Sequence, residues 1–214
     1  MSRGRANRNR RAAKPKFSVI VDGETEIWYL QLMKQHEGLR HIDIKPELPK
    51  KKKMADQFEL VLENDRIYDK VIWLVDLDVV LKEQAEWERK SGRSSPSPVE
   101  EFRGYFQRIS SMDRVHLLVN TPCLEFWYLL HYKNTSRYFS DYNSLIREFR
   151  GTPLEDYEKS ERYYKQGRQN LYQKLVTEQV AAIERASGLG EFNIEEMAQA
   201  KTEMFRLLEL IRAV

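Results

Sequence analysis

The sequence predicts an α/β fold, with a largely parallel four-stranded sheet flanked by helices and a helical C-terminal segment packed on it. Three observations lead there. Short apolar runs alternate with helix-length segments through residues 17–133, the pattern of repeated strand–helix–strand units. One of those runs, residues 71–75 (VIWLV), is apolar at every position, as a parallel strand covered on both faces is. Beyond residue 133 no strand pattern recurs, whereas apolar residues return at helical spacing.

Taken in order, residues 17–22 (FSVIVD) read as the first strand and 25–35 (TEIWYLQLMKQ) as a helix that Gly38 ends. Residues 41–45 (HIDIK) alternate as a brief second strand. A lysine run at 50–53 precedes a helix over about 55–63, and 68–75 forms the third strand. Residues 91–98 (SGRSSPSP) are a loop by composition. Ser97, Pro98 and Glu100 have capping-box spacing and start a helix that runs to about residue 110. Residues 115–119 (VHLLV) give the fourth strand, followed by Asn120-Thr121-Pro122 and a helix, CLEFWYLLHY. Later, Leu171, Leu175, Val176, Val180 and Ile183 make one helical stripe closed by Gly188 and Gly190. Asn193 and Glu196 are placed to cap a last helix through Met197, Met204, Phe205, Leu208 and Ile211. The expected organisation is a basic arm over 1–16, an α/β domain over 17–133 and a helical region over 134–214.

At 214 residues and 41% hydrophobic, the chain can bury a sizeable core. No stretch approaches the ~18 consecutive apolar residues of a membrane span, and no secretion signal opens the chain. A single cysteine excludes an internal disulfide framework and agrees with a reducing cytoplasm. The net charge of +3 hides an asymmetry, because seven of the 36 basic residues fall within residues 1–16, where there is no acid. Such an arm is expected to be disordered. It reads either as a tether for nucleic-acid phosphates or as a solubilising tail.

The chemistry is expected where apolar strands end in acids. Asp76 and Asp78 follow the third strand, and side chains two apart on an extended chain share a side, with Cα atoms roughly 7 Å apart. At about 5 Å and an effective dielectric near 20, two carboxylates repel by on the order of 3 kcal/mol. A proton, a basic neighbour or a hard divalent cation such as Mg²⁺ or Mn²⁺ must relieve that. Asp22-Gly23-Glu24-Thr25-Glu26 follows the first strand, with Gly23 expected to let the backbone turn tightly. If the first and third strands are neighbours, Glu24 faces the aspartate pair across the crevice where open sheets hold ligands. The plainer reading of each acid is a cap on the next helix.

These residues carry a resemblance. The pattern VIVDGETE … VIWLVDLDVV, with a glutamate after the first strand and DxD after the third, resembles the Toprim fold of topoisomerases, primases and overcoming-lysogenization-defect nucleases. Residues 120–132, NTPCLEFWYLLHY, are similar to the N-P-x-F-E-x-W-x-L-x-H block of RloB-like proteins, a Toprim-related family found beside restriction and other phage-defence genes. Lys201-Thr202-Glu203 leading into FRLLELI is similar to that family's ending. The resemblance covers nearly the whole chain after the arm. It departs where Asp22-Gly23-Glu24-Thr25-Glu26 offers several acids for one family glutamate; Glu24 is the first match, Glu26 the second, and Asp22 a further stand-in. It departs again where Thr121 is inserted before Pro122 and Leu124 replaces an aromatic.

The resemblance implies a cytoplasmic, Mg²⁺- or Mn²⁺-dependent nuclease in antiviral defence, acting on RNA or DNA, possible partners including other defence-system proteins. Asp76 and Asp78 would hold the metal, Glu24 would complete the site, and Glu125 or His131 would contribute to catalysis. Some relatives bind without cutting, so a non-catalytic nucleic-acid-binding module is the alternative. A haloacid-dehalogenase-like phosphatase is a third reading, since an apolar strand followed by DLDVV also fits its start. Lys50, Lys51, Lys52 and Lys53 form either a grip on phosphates or a solvated loop. Lys159, Lys165 and Arg168, interleaved with Tyr157, Tyr163 and Tyr164, have the cation–ring mixture used against single strands; tyrosines there equally fit a core edge. Cys123 beside His131 fits a nucleophile pair, or simply a small buried cysteine.

Overall fold

The computed structural model describes residues 14–39, 42–49, 53–90 and 96–213. The arm up to residue 13, Lys50, Lys51, Lys52 and residues 91–95 of the serine-rich loop lie outside the described residues. Along the first part of the chain run β1 (Lys16–Ile20), α1 (Glu24–His36), β2 (Asp43–Glu47), α2 (Met54–Asn64), β3 (Lys70–Asp76), α3 (Leu77–Arg89), α4 (Pro98–Ile109), β4 (Val115–Thr121) and α5 (Glu125–Tyr132). Then follow α6 (Tyr142–Ile146), α7 (Glu161–Lys165), α8 (Leu171–Val176), α9 (Gln179–Gly188), β5 (Lys201–Thr202) and α10 (Met204–Arg212).

Period-two alternation along the central strands sorts side chains onto two faces of the sheet. On one face Phe17, Val19, Ile72, Leu74 and Leu118 pack with α1, α5 and the C-terminal helices. On the other, Ile20, Val71, Trp73, Val75, Val115 and Val119 pack with α2, α3 and α4. Both layers are apolar, which is why VIWLV has no polar position. The buried indole of Trp73 donates from Nε1 to Gln57 Oε1 at 2.7 Å, so its one polar atom is answered.

The sheet has five strands in the order β2-β1-β3-β4-β5. The first four are mutually parallel, and β5 adds antiparallel at the β4 edge. The chain moves from β1 outward to β2, then returns to place β3 on the other side of β1. That reversal opens a crevice beyond the carboxyl ends of β1 and β3. The fifth strand is the two polar residues Lys201 and Thr202, too short for any periodicity to show.

Three further elements differ from the sequence reading. Helix α3 starts at Leu77, directly after β3, so the extended geometry assumed for Asp76 and Asp78 stops between them. The late stripe is broken into α8 and α9, with Val176 and Val180 exposed rather than in the core. Residues 193–196 form a turn in which Glu196 N donates to Asn193 O, and the last helix begins only at Met204. The capping box of Ser97 and Glu100 and the left-handed Gly38 (φ 62°) after α1 are as the sequence indicates. Among the described residues, no helix is long and apolar enough to cross a membrane.

Candidate functional site

The crevice beyond β1 and β3 is lined by acids, each delivered by a different local device. After β1, Asp22 and Gly23 lead into α1, whose first turn carries Glu24 and Glu26. Gly23 is extended (φ −138°, ψ 168°), a conformation open to any residue, so the expected tight turn is not its role. It supplies room instead: a Cβ there would sit 2.6 Å from Glu26 Oε2. The Thr25 hydroxyl donates to the same carboxylate at 3.1 Å. Glu26 is thereby turned into the fold and buried, whereas Glu24 is exposed.

Asp76 is the last residue of β3 and lies level with Asn120 of β4. Its Oδ1 accepts from Asn120 Nδ2 at 3.2 Å and its Oδ2 from the Leu124 amide at 3.1 Å. Asn120 is oriented in turn by Thr202 of β5, whose hydroxyl donates to its Oδ1 at 2.7 Å. The short fifth strand thus fixes the amide that fixes the aspartate. Asp78 sits half-buried in the first turn of α3, its amide donating to Pro122 O at 3.0 Å.

Glu125 enters from α5 and is fully buried. Its Oε1 accepts from Tyr157 at 2.8 Å and meets Lys159 Nζ at 3.0 Å, while its Oε2 has no hydrogen-bond partner. Tyr157 continues to Tyr164 and Tyr128 through hydroxyl contacts of 2.7 and 3.3 Å. Lys159, with its side chain 41% exposed, also lies over the Tyr142 ring at 4.2 Å, so its ammonium reaches the acids from the solvent side.

Two groups of donor atoms result. One ligand atom each of Asp22, Glu26 and Asp76 lie within 4.8 Å of one another, as do one each of Asp76, Cys123 and Glu125. Either group could hold a metal ion. The electrostatics are those of a site in which one lysine, Lys159, faces several carboxylates. Burial, then the Asp22 and Glu125 carboxylates, push the Glu26 carboxyl up to about 8. Burial, then Asp22, Glu26, Glu125 and Asp78, hold Asp76 well above its ordinary range. Asp78 is pushed up to about 6 by burial, with Lys159 opposing and Asp22 adding to the rise. Lys159 loses stability as a cation through burial, yet the Glu125 carboxylate raises it above its ordinary value.

The structure therefore gathers Asp76 and Glu125 with Glu26 and Asp22, the second and third matches for the family glutamate, and places Asp78 at the rim. Glu24 is outside both groups. His131 lies at the far end of α5: its Nδ1 bonds the Trp127 carbonyl at 2.9 Å, Arg185 donates to its own carbonyl at 3.0 Å, and burial lowers it to about 4. That is a packed core histidine, distant in role from the carboxylates. Cys123 is among the acids rather than beside His131, which removes the nucleophile pair.

A narrow cleft lined by Asp22, Met54, Gln57, Val79 and Glu83 leads to Asp76. Exposed Lys53, the residue before α2 and next to Met54 of that lining, acts electrostatically on Glu83. Lys165 pairs with Glu161 one helical turn away at 2.8 Å. Arg168 lines a separate cleft of about 630 Å³ together with Arg162, Gln166, Gln169 and Lys174 and with two acids, Asp156, which pairs with Lys174, and Glu158, next to Lys159. Tyr157 and Tyr164 are buried, so their rings belong to the core and offer no face for stacking bases. The sequence reading missed the roles of Asn120 and Thr202. An amide level with an acid across two adjacent strand ends was the available signal.

Fold and site together define an α/β protein whose buried acids converge at the switch point of a mostly parallel sheet. Residues 17–211 match the family model of RloB-like proteins, and the chain belongs to that family. No curated protein and no solved structure matches it.

Proposed function

We propose that this RloB-like protein is a Toprim-like, Mg²⁺- or Mn²⁺-dependent nuclease, cleaving phosphodiester bonds of nucleic acid in the cytoplasm as part of antiviral defence. The observation that carries the reading is the convergence of Asp22, Glu26 and Asp76 from the ends of two adjacent parallel strands. An all-oxygen donor set of carboxylates suits hard divalent ions. The Gly23 gap and the amides on Asp76 hold the donors in place. The family resemblance supports the defence role and its partners.

Asp22, Glu26 and Asp76 would hold the ion, with Asp78 at the rim. When bound there, a divalent ion neutralises charge and polarises a phosphoryl oxygen. The chain's own residues do the rest. Asn120 and the Leu124 amide aim Asp76. The Glu26 carboxyl, up at about 8, keeps a proton at neutral pH until positive charge arrives. Lys159 stands where a phosphate approaching from solvent would meet an ammonium, and Lys53 flanks the cleft that leads inward. The Arg162 and Arg168 cleft, starting one residue from Lys159, is the seat for neighbouring phosphates.

The test is cleavage of an RNA and DNA panel with Mg²⁺ or Mn²⁺. Asp76→Asn and Glu26→Gln are expected to reduce cleavage by roughly two orders of magnitude or more, beyond what loss of an outer partner of a metal site costs. Cleavage equal to wild type in both variants removes the site. Nucleic-acid binding without cleavage by any protein leaves a non-catalytic binding module, and phosphate release from a small ester indicates a phosphatase.

A further inference from the structure

The acidic pocket has two halves that share Asp76, and their chemistry differs. The half made with Asp22 and Glu26 presents only carboxylate oxygens. The other half adds sulfur, since Cys123 brings a thiol within 4.8 Å of donor oxygens of Asp76 and Glu125, and all three residues are buried. Magnesium has little use for a thiolate; zinc and its softer relatives select one. Glu125 supplies an independent sign that something belongs here. It is 0% exposed, its Oε1 is engaged by Tyr157 and Lys159, and its Oε2 makes no hydrogen bond of ordinary geometry, although the Cys123 thiol bears on the same carboxylate. A buried carboxylate oxygen left without such a bond is an exception in folded proteins and calls for an explanation. An ion can take Oε2 while Oε1 keeps both of its contacts.

We propose that Asp76, Cys123 and Glu125 form a second cation site, selective for a thiophilic divalent transition metal of the zinc class. The proposal rests on the reading of the pocket as a cation site and goes beyond it in naming a different ion for a different half. Zinc binds sulfur at about 2.3 Å and carboxylate oxygen at about 2.0–2.2 Å. Donors now within 4.8 Å of each other need to close by about 1 Å to share such an ion, a movement within side-chain rotation. Binding exchanges the S–H bond of Cys123 for a sulfur–metal bond and releases that proton to solvent. No electron is transferred. Three protein donors leave a fourth position open, the arrangement of reactive rather than closed zinc sites.

The chain holds one cysteine, so any metal–thiolate signal reports Cys123. The full chain, freed of ions with chelator, is titrated with Co²⁺ and followed by near-ultraviolet absorption. A thiolate-to-cobalt charge-transfer band is expected, saturating at one equivalent and bleached by Zn²⁺. Cys123→Ser should abolish the band, and Glu125→Gln should weaken Co²⁺ binding at least about tenfold. Absence of the band in wild type, or its survival in Cys123→Ser, overturns the proposal; the primary readout needs no variant to fold. A band in a protein that cleaves nothing leaves this site and removes the nuclease. Mg²⁺-dependent cleavage without a band does the reverse.

Discussion

Two glutamates of this chain are buried to nearly the same extent, Glu203 at 3% exposure and Glu26 at 4%, and they sit in opposite surroundings. Glu203 is answered on every side. The Val119 amide donates to its Oε2 at 2.9 Å, the Phe192 amide to its Oε1 at 3.4 Å, and Arg206 meets Oε1 at 3.1 Å. Its job is to pin the segment before α10 onto the edge of β4, where the Glu203 amide also reaches the Val119 carbonyl. Glu26 has a threonine hydroxyl and a backbone amide, and faces Asp22, Asp76 and Glu125, which Lys159 opposes only weakly. The same side chain at the same depth keeps its charge where donors match it and is pushed toward its protonated form where other carboxylates surround it.

The largest expected effect separates the two directly. Glu203→Ala leaves two buried amides without an acceptor and takes from Arg206 its nearer carboxylate, and should destabilise the fold by about 3 kcal/mol, read by urea unfolding. Glu26→Gln, at equal depth, should instead raise the stability of the ion-free protein at pH 8 by roughly 1 kcal/mol or more, because it removes a charge that burial and its neighbours disfavour. Equal destabilisation by both would dissolve the distinction.

A smaller effect sharpens it. Gly23→Ala puts a methyl where Glu26 Oε2 now lies, and that oxygen is the free end of a flexible side chain. Stability should change by no more than about 1 kcal/mol, while Mn²⁺ affinity, followed by equilibrium dialysis, should fall about tenfold. Unchanged affinity would mean that the position of Glu26 does not matter to the ion.

Much of this was legible in the sequence. Alternating apolar runs gave the strands and their order along the chain, and VIWLV ending in Asp76 pointed to the mouth of the sheet. The choice between Glu24 and Glu26 was legible in the phase of the helix and went unread: Glu26 shares the buried face of Tyr29, Leu30 and Met33 at spacings of three, four and seven, whereas Glu24 lies on the exposed side. The room that Gly23 leaves for the Glu26 carboxylate was not legible. Asp78 was placed by extended geometry that ends at Asp76, since nothing in LDVVLKEQAEWER breaks a helix and α3 begins at once. Cys123 and Glu125 join the pocket through the turn between β4 and α5, a tertiary placement without periodicity to betray it. His131 shows the opposite difficulty. A histidine in an apolar helix resembles a site residue until its neighbours are known, and here they are the Trp127 carbonyl and ring.

The most direct test of a pocket with more carboxylates than cations is thermal unfolding against pH, with and without Mn²⁺. Between its ordinary 4.5 and about 8, Glu26 is protonated in the folded chain and ionised in the unfolded one, so its contribution to stability falls as pH rises. His131, lowered from 6.5 to about 4, works the other way, but only below 6.5. From pH 6.5 to about 8 the carboxylates therefore act alone. The account predicts a melting temperature that declines across that window in chelator, and a Mn²⁺ increment that grows with pH and disappears in Asp76→Asn. A flat profile in chelator, with no Mn²⁺ increment at any pH, would contradict it.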